Sequence, residues 1–231
     1  MPNTHLNNLF RDTERTRVFW HTVQQPMSVL RIALEEPEAL IPSQISGPVT
    51  STTLLPFRVL AAKGTLFMEQ VRFLQRVRDL PWVSPRNLVD LREITHQSLT
   101  FLYPLIAHEN ITWLDSISEP VQIKGDGTLL KLVLKTCIYL CSTHSPHEST
   151  WSLKIKNGTF TCKLNHVRQG PLLDPKPYSI EEIFHEENPV IAEAQWFLWA
   201  INEIVCTLHL GTMSAHGTLE DITSIEFTLP I

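Results

Sequence analysis

Apolar and polar residues alternate through WSLKIK (151–156) and TFTCKL (159–164), and Asn157-Gly158 separates the two runs. A period of two is the pattern of a half-buried strand. Asn-Gly is the dipeptide of a two-residue type I′ turn, in which both central residues take positive φ. The chain is therefore committed to an antiparallel hairpin with one apolar face, and that face needs cover. LREITHQSLTFLYPLIAH, GTLLKLVLKTCIYLCS and AEAQWFLWAINEIVCTLHL read as helices able to supply it. NITWLDSI, PVQIKG, GTMSAH and ITSIEFTLPI read as further strands. Mixed strands with helices on one face make an α/β sandwich, which we place at residues 83–231.

The first part, residues 1–82, has a different texture. Asn7 to Glu36 and Leu54 to Asp79 read as helices, broken apart by Pro37, Pro42, Gly47 and Pro48. Pro81 and Pro85 mark the boundary with the sandwich. Phe19, Val23, Met27, Leu30 and Leu34 lie on one face of the first helix. Leu60, Phe67, Val71 and Leu74 form the stripe of the second, with Gly64 and Val77 near the same seam. Two such helices suit an antiparallel hairpin but bury too little alone. Pairing with a second copy gives a four-helix bundle, so we expect a homodimer. The fold class is then α+β: a helical hairpin followed by an α/β sandwich.

Composition closes several routes. The chain has 231 residues, 43% of them apolar, and a formal net charge of −5. That is a globular balance with no electrostatic case for nucleic acid. No apolar run approaches the roughly 18–20 residues of a membrane-spanning helix, and the N-terminus has no signal-peptide pattern. Four cysteines do not make a disulfide scaffold, which points to a reducing, cytoplasmic setting. Only 8 glycines occur, none of them between Pro171 and Leu210. A Gly-rich phosphate loop is excluded from that stretch.

Periodicity places His21 on the solvent side of the first helix. Each helical residue turns about 100°, so His21 stands about 160° from both Phe19 and Val23. With those two facing a bundle core, His21 faces water. Pro26 follows five residues on, and a proline inside a helix costs roughly 3 kcal/mol. A cost of that size beside an exposed histidine suggests a site. The plain alternative is a solvated surface histidine. Arg17, Gln24, Gln25 and Ser28 share its face. Arg17 could balance the charge of a phosphate, or simply be solvated. A neutral imidazole nitrogen can attack an acyl phosphate in line.

The order of elements resembles the transmitter core of bacterial sensor histidine kinases. The first part looks like their dimerisation and histidine-phosphotransfer hairpin, and the second like their ATPase-type (Bergerat, GHKL) domain. His21-Thr22-Val23-Gln24-Gln25-Pro26 is similar to their phosphoacceptor box, with Thr22 where the family has an acidic residue. Gly125-Asp126 and Leu129 to Leu134 resemble the lead into the asparagine box. Thr136 and Leu140 stand at the Mg²⁺-holding positions, and Asn165 to Gly170 replaces the Asp-x-Gly-x-Gly motif. Gln195 to Trp199 brings bulky side chains to the last Gly-rich box. The resemblance thus implies a degenerate core without nucleotide, similar to ChpT-type histidine phosphotransferases.

What the resemblance implies is phosphate relay between receiver domains through His21, with no cofactor of the chain's own. The Mg²⁺ would come from the response-regulator receiver. Gln25, four residues after His21, corresponds to a position that orients a hydrolytic water in the kinases, which implies a receiver phosphatase as a further reading. A pseudokinase that only binds a regulator or kinase is the other alternative. Separately, Cys137, Cys141 and His144, with His147 just beyond, have the spacing of zinc ligands on one helix face, or of small buried core residues. Trp196 and Trp199 read as core anchors.

Overall fold

The computed structural model describes residues 59, 61–66, 68–70, 87–115, 120–146, 148–156, 159–174 and 189–230. The chain divides into two units, Met1–Asp79 and Leu80–Ile231. In the first, residues 59, 61–66 and 68–70 are helical. Val59, Ala62, Leu66 and Gln70 are its buried positions, a one-face spacing. Gly64 is half-buried, while Leu60, Phe67, Val71, Leu74 and Val77 of the expected stripe lie outside the described residues. So do the first helix, the expected hairpin and its four-helix bundle.

The second unit begins with β1 (Asn87–Asp90) and α1 (Leu91–His108). Asp90 starts that helix: its carboxylate accepts from Arg92 N at 2.9 Å, satisfying one of the amides a helix end leaves open. Leu91, Ile94, Ser98, Leu102 and Leu105 follow the helical period and are buried. Strands β2 (Thr112–Asp115) and β3 (Gln122–Gly125) lead to α2 (Gly127–Thr143). Here Asp126 is the cap and accepts from Thr128 N and Leu129 N. Every residue from Leu132 to Ser142 is buried, so α2 is a core helix with no wet face along that length.

β4 (Thr150–Lys156) and β5 (Thr159–Leu164) pair antiparallel with Lys156 opposite Thr159. That register leaves two residues between the strands, as the Asn-Gly pair requires. The turn itself lies outside the described residues. After the two-residue β6 (Leu172–Leu173) come α3 (Pro189–Asn202) and a π-helical turn, Glu203–Leu208. β7 (Thr212–Gly217) and β8 (Ile222–Thr228) close the fold.

The main sheet runs β2-β4-β5-β8-β7-β6. β2 and β4 are parallel, and the other neighbours are antiparallel. On its inner face Phe160 and Phe227 stack at 4.7 Å, and Trp113 and Trp151 at 5.9 Å. α2 packs against α1, α3 and the inner side of β5 and β8. The expected mixed sheet with helices on one face is present. One expected strand goes elsewhere: β3 pairs with β1 in a separate two-stranded sheet, because β1 runs directly into α1 beside it.

Candidate functional site

Arg17, His21, Gln24, Gln25 and Ser28 lie outside the described residues. What the structure does assemble is the ground between α2 and α3, where the family resemblance would put a nucleotide.

On α2, the two positions expected to hold a metal do not offer oxygen to it. Thr136 is 1% exposed, and its hydroxyl donates back to the Leu132 carbonyl at 2.8 Å. Leu140 is fully buried and has no polar atom. Mg²⁺ needs several accessible oxygens in near-octahedral array. Asp126, the one carboxylate at this end of the helix, spends its Oδ1 on the cap.

On the facing side, α3 carries aromatic residues. Phe197 meets Tyr139 edge-on at 5.2 Å between ring centres. Trp196 and Trp199 are also buried, and their rings lie 5.2 Å apart at a tilt. The Tyr139 hydroxyl donates to the Glu193 carboxylate. Burial holds that phenol well above its usual range, and the neighbouring carboxylate adds to the effect. The phenol therefore stays protonated and can only be the donor. A phosphate site needs backbone amides that a ligand can approach closely. Between α2 and α3 the rings of Tyr139 and Phe197 meet.

The loop after β5 carries the one glycine of the expected nucleotide motif, and it is used for packing. A Cβ on Gly170 would come within 2.7 Å of Gly217 Cα. Gly170 N donates to Thr223 Oγ1 at 3.2 Å, and its carbonyl accepts from Nδ1 of His216 at 3.2 Å. Gly217 N in turn donates to the Pro171 carbonyl at 2.9 Å. Gly217 has φ 121 and sits at a bulge, where a side chain would be strained. The loop is thereby sewn to β7 and β8.

Sequence reasoning missed two groupings. Cys137 and Cys141 meet Cys162 of β5, not a histidine, and all three are fully buried. Burial pushes all three thiols up, so they are poor nucleophiles and poor ligands. Among the described residues no cluster of His, Cys, Asp and Glu could hold a metal ion, and His147 lies outside them. Zinc at Cys137, Cys141 and His144 is thus not what the helix builds. The alternation of β5 was the available signal, since Cys162 falls between inward Phe160 and Leu164. The second grouping is His209, whose Nε2 accepts from Asp126 N while its Nδ1 donates to the Ile204 carbonyl. Nothing local in the sequence marks that residue.

No protein-family model matches the chain, and no curated protein matches it. Solved structures do. The histidine kinase ThkA, in its crystal structure with the response regulator protein TrrA, is 14% identical with a TM-score of 0.52. That match covers 94% of this chain and 61% of the other. The histidine kinase AdeS of Acinetobacter baumannii is 13% identical over 90% of this chain and 96% of its own, with a TM-score of 0.49. A histidine kinase of Burkholderia phymatum is 14% identical over 94% and 98%, with a TM-score of 0.44. The fold of the second unit is one seen in histidine kinases.

Proposed function

We propose that this chain is a phosphotransferase of a two-component relay that works without ATP, in the manner of the ChpT-type proteins. The observation that carries the reading is the Tyr139–Phe197 contact, with Leu140 buried behind it, where a kinase would hold nucleotide. A histidine-kinase fold that keeps its architecture and fills its nucleotide ground retains two uses: holding a partner and presenting a histidine. His21 is the acceptor in this proposal. A neutral ring nitrogen of His21 attacks the phosphorus of a receiver aspartyl phosphate in line. The P–O bond to the aspartate breaks, the carboxylate leaves, and a phosphohistidine forms. The reverse step on a second receiver completes the relay. Arg17 offsets the phosphate charge, with Gln24 and Ser28 on the same face. Mg²⁺ is contributed by the receiver. Residues 1–82 supply the homodimeric bundle that carries the two histidines.

Thr22 supports a second reading. An acid next to the histidine assists proton removal in the kinases, and threonine does not. A binding-only pseudokinase would tolerate that change without loss. Incubating the full chain with a panel of phosphorylated receivers separates the readings. Relay predicts label on this chain that is absent from His21→Gln. Binding alone predicts unlabelled complex. Accelerated loss of receiver label, abolished by Gln25→Ala and kept in His21→Gln, would make it a phosphatase.

A further inference from the structure

The outer face of the main sheet carries an excess of positive charge. Ser152, Lys154 and Lys156 of β4 point away from the helices, as do Thr159, Thr161 and Lys163 of β5. The register sets Lys154 opposite Thr161 and Lys163 opposite Ser152. β8 continues the face with Ser224, Glu226 and Thr228. The small side chains are held sideways: Thr159 Oγ1 lies 3.0 Å from Thr228 Oγ1, and Thr161 Oγ1 donates to Glu226 at 3.0 Å. Lys154, Lys156 and Lys163 are exposed. None of the three has an ion pair among the described residues, and Glu226, which accepts from Thr161, offsets only part of their charge.

Lysines on a sheet often guard an edge strand against stray pairing. Lys163 does not, because β5 is paired on both sides there, with Ser152 and Ser224. Lys154 and Lys156 lie past Leu153, where the pairing with β2 ends, so on β4 the same lysines can hold both roles. They also run against the chain's net charge of −5. We infer that this face docks the carboxylate-rich surface of a partner protein. The four long strands span roughly 400 Å² at ordinary strand spacings. That is below the about 800 Å² per side of a standard stable interface, so the complex is transient and salt-sensitive. A second copy is a poor occupant, because a two-fold contact would set lysine against lysine. An anionic membrane is a poor one too. Three lysines fall short of the cluster of about four to eight that marks lipid recognition, and among the described residues no exposed aromatic stands beside them. The inference is independent of His21.

The test uses the full chain and a fluorescein-labelled peptide of alternating Glu and Ser, which in extended form places its carboxylates at the strand's own two-residue repeat. Anisotropy at low ionic strength should show saturable binding that weakens with added salt. Lys163→Glu and Lys154→Glu should each weaken it at least about fivefold. Lys124→Glu makes the same charge change on exposed β3, outside the face, and should leave affinity within about twofold. Urea melts of all variants exclude misfolding, and Lys163→Gln should give an intermediate loss. Equal losses in Lys163→Glu and Lys124→Glu, or no peptide binding, would overturn the inference. So would binding to phosphatidylserine vesicles through these lysines in place of the peptide, or self-association that the lysine variants abolish.

Discussion

The backbone N–H of Asp126 donates to Nε2 of His209 at 3.1 Å, across 83 residues of sequence. The other ring nitrogen of His209 is 2.9 Å from the Ile204 carbonyl. One imidazole thus ties the entry of α2 to the π-helical turn that ends α3. Both residues are buried. Gly125 makes the approach possible, since a Cβ there would come within 3.2 Å of the same ring nitrogen.

His209→Ala should therefore cost about 1–3 kcal/mol, because it leaves the Asp126 amide buried without its acceptor. Urea unfolding followed by circular dichroism reads this directly. An unchanged midpoint would mean that water replaces the ring at no cost.

Calorimetry with Mg²⁺-ATP should give no saturable isotherm at sub-millimolar nucleotide. Thr136 and Leu140 present no oxygen pair, and Phe197 stands against Tyr139. A clear binding isotherm would overturn the reading of this chain as one that works without ATP.

Stability should be level through neutral pH and fall on the alkaline side. The thiols of Cys137, Cys141 and Cys162 and the phenol of Tyr139 are all held protonated by burial. The unfolded chain releases those protons near the ordinary values, about 8.5 for thiols and about 10 for the phenol. The folded state then binds more protons than the unfolded state, so the stability these groups contribute is intact below about pH 8.5 and is lost as pH rises. Tyr139→Phe should flatten the part of the slope above about pH 10. Urea midpoints from pH 7 to the alkaline limit test the sign, and a midpoint that rises with pH would contradict it.

Gly170→Ala should destabilise by about 1–3 kcal/mol, the usual cost of overpacking. Its Cβ would meet backbone, Gly217 Cα at 2.7 Å, and backbone cannot rotate away as a side chain can. The same change in a solvated loop would be neutral, and a neutral outcome in thermal melts would show that β7 gives way.

His21→Ala and His21→Gln should abolish phosphoryl transfer while changing stability by less than about 0.5 kcal/mol, as for an exposed position. Light scattering should give both variants twice the monomer mass. Unfolding in either variant would move His21 from the exposed face to the core, and with it the stripe drawn through Phe19, Val23 and Met27.

Patterns with a short period were readable from the residues. The alternation on either side of Asn157-Gly158 defines β4 and β5, whose register leaves those two residues between them. α2 and α3 were visible as apolar runs of helical length, and Asp126 before Gly127 is a readable cap. The π-helical turn was not legible, because one extra residue per turn leaves no mark on an apolar helix buried on most sides. β1 and β6 were missed because four and two residues are too few to establish a period.

The sequence by itself determined the longer elements and the side β4 and β5 turn to the core, since period and cap chemistry act between residues a few positions apart. It also determined that Leu140 brings no oxygen to α2 and that Trp196 and Phe197 bring bulk to α3, wherever they stand. Only the tertiary structure decided which distant groups meet. Cys162 joins Cys137 and Cys141 because β5 lies under α2, and Gly170 owes its small size to Gly217, 2.7 Å from where a Cβ would be. His209 reaches Asp126 because α3 and its π turn deliver it there. Such contacts depend on how elements close-pack, and close packing is a property of the assembled interior that no run of neighbouring residues encodes.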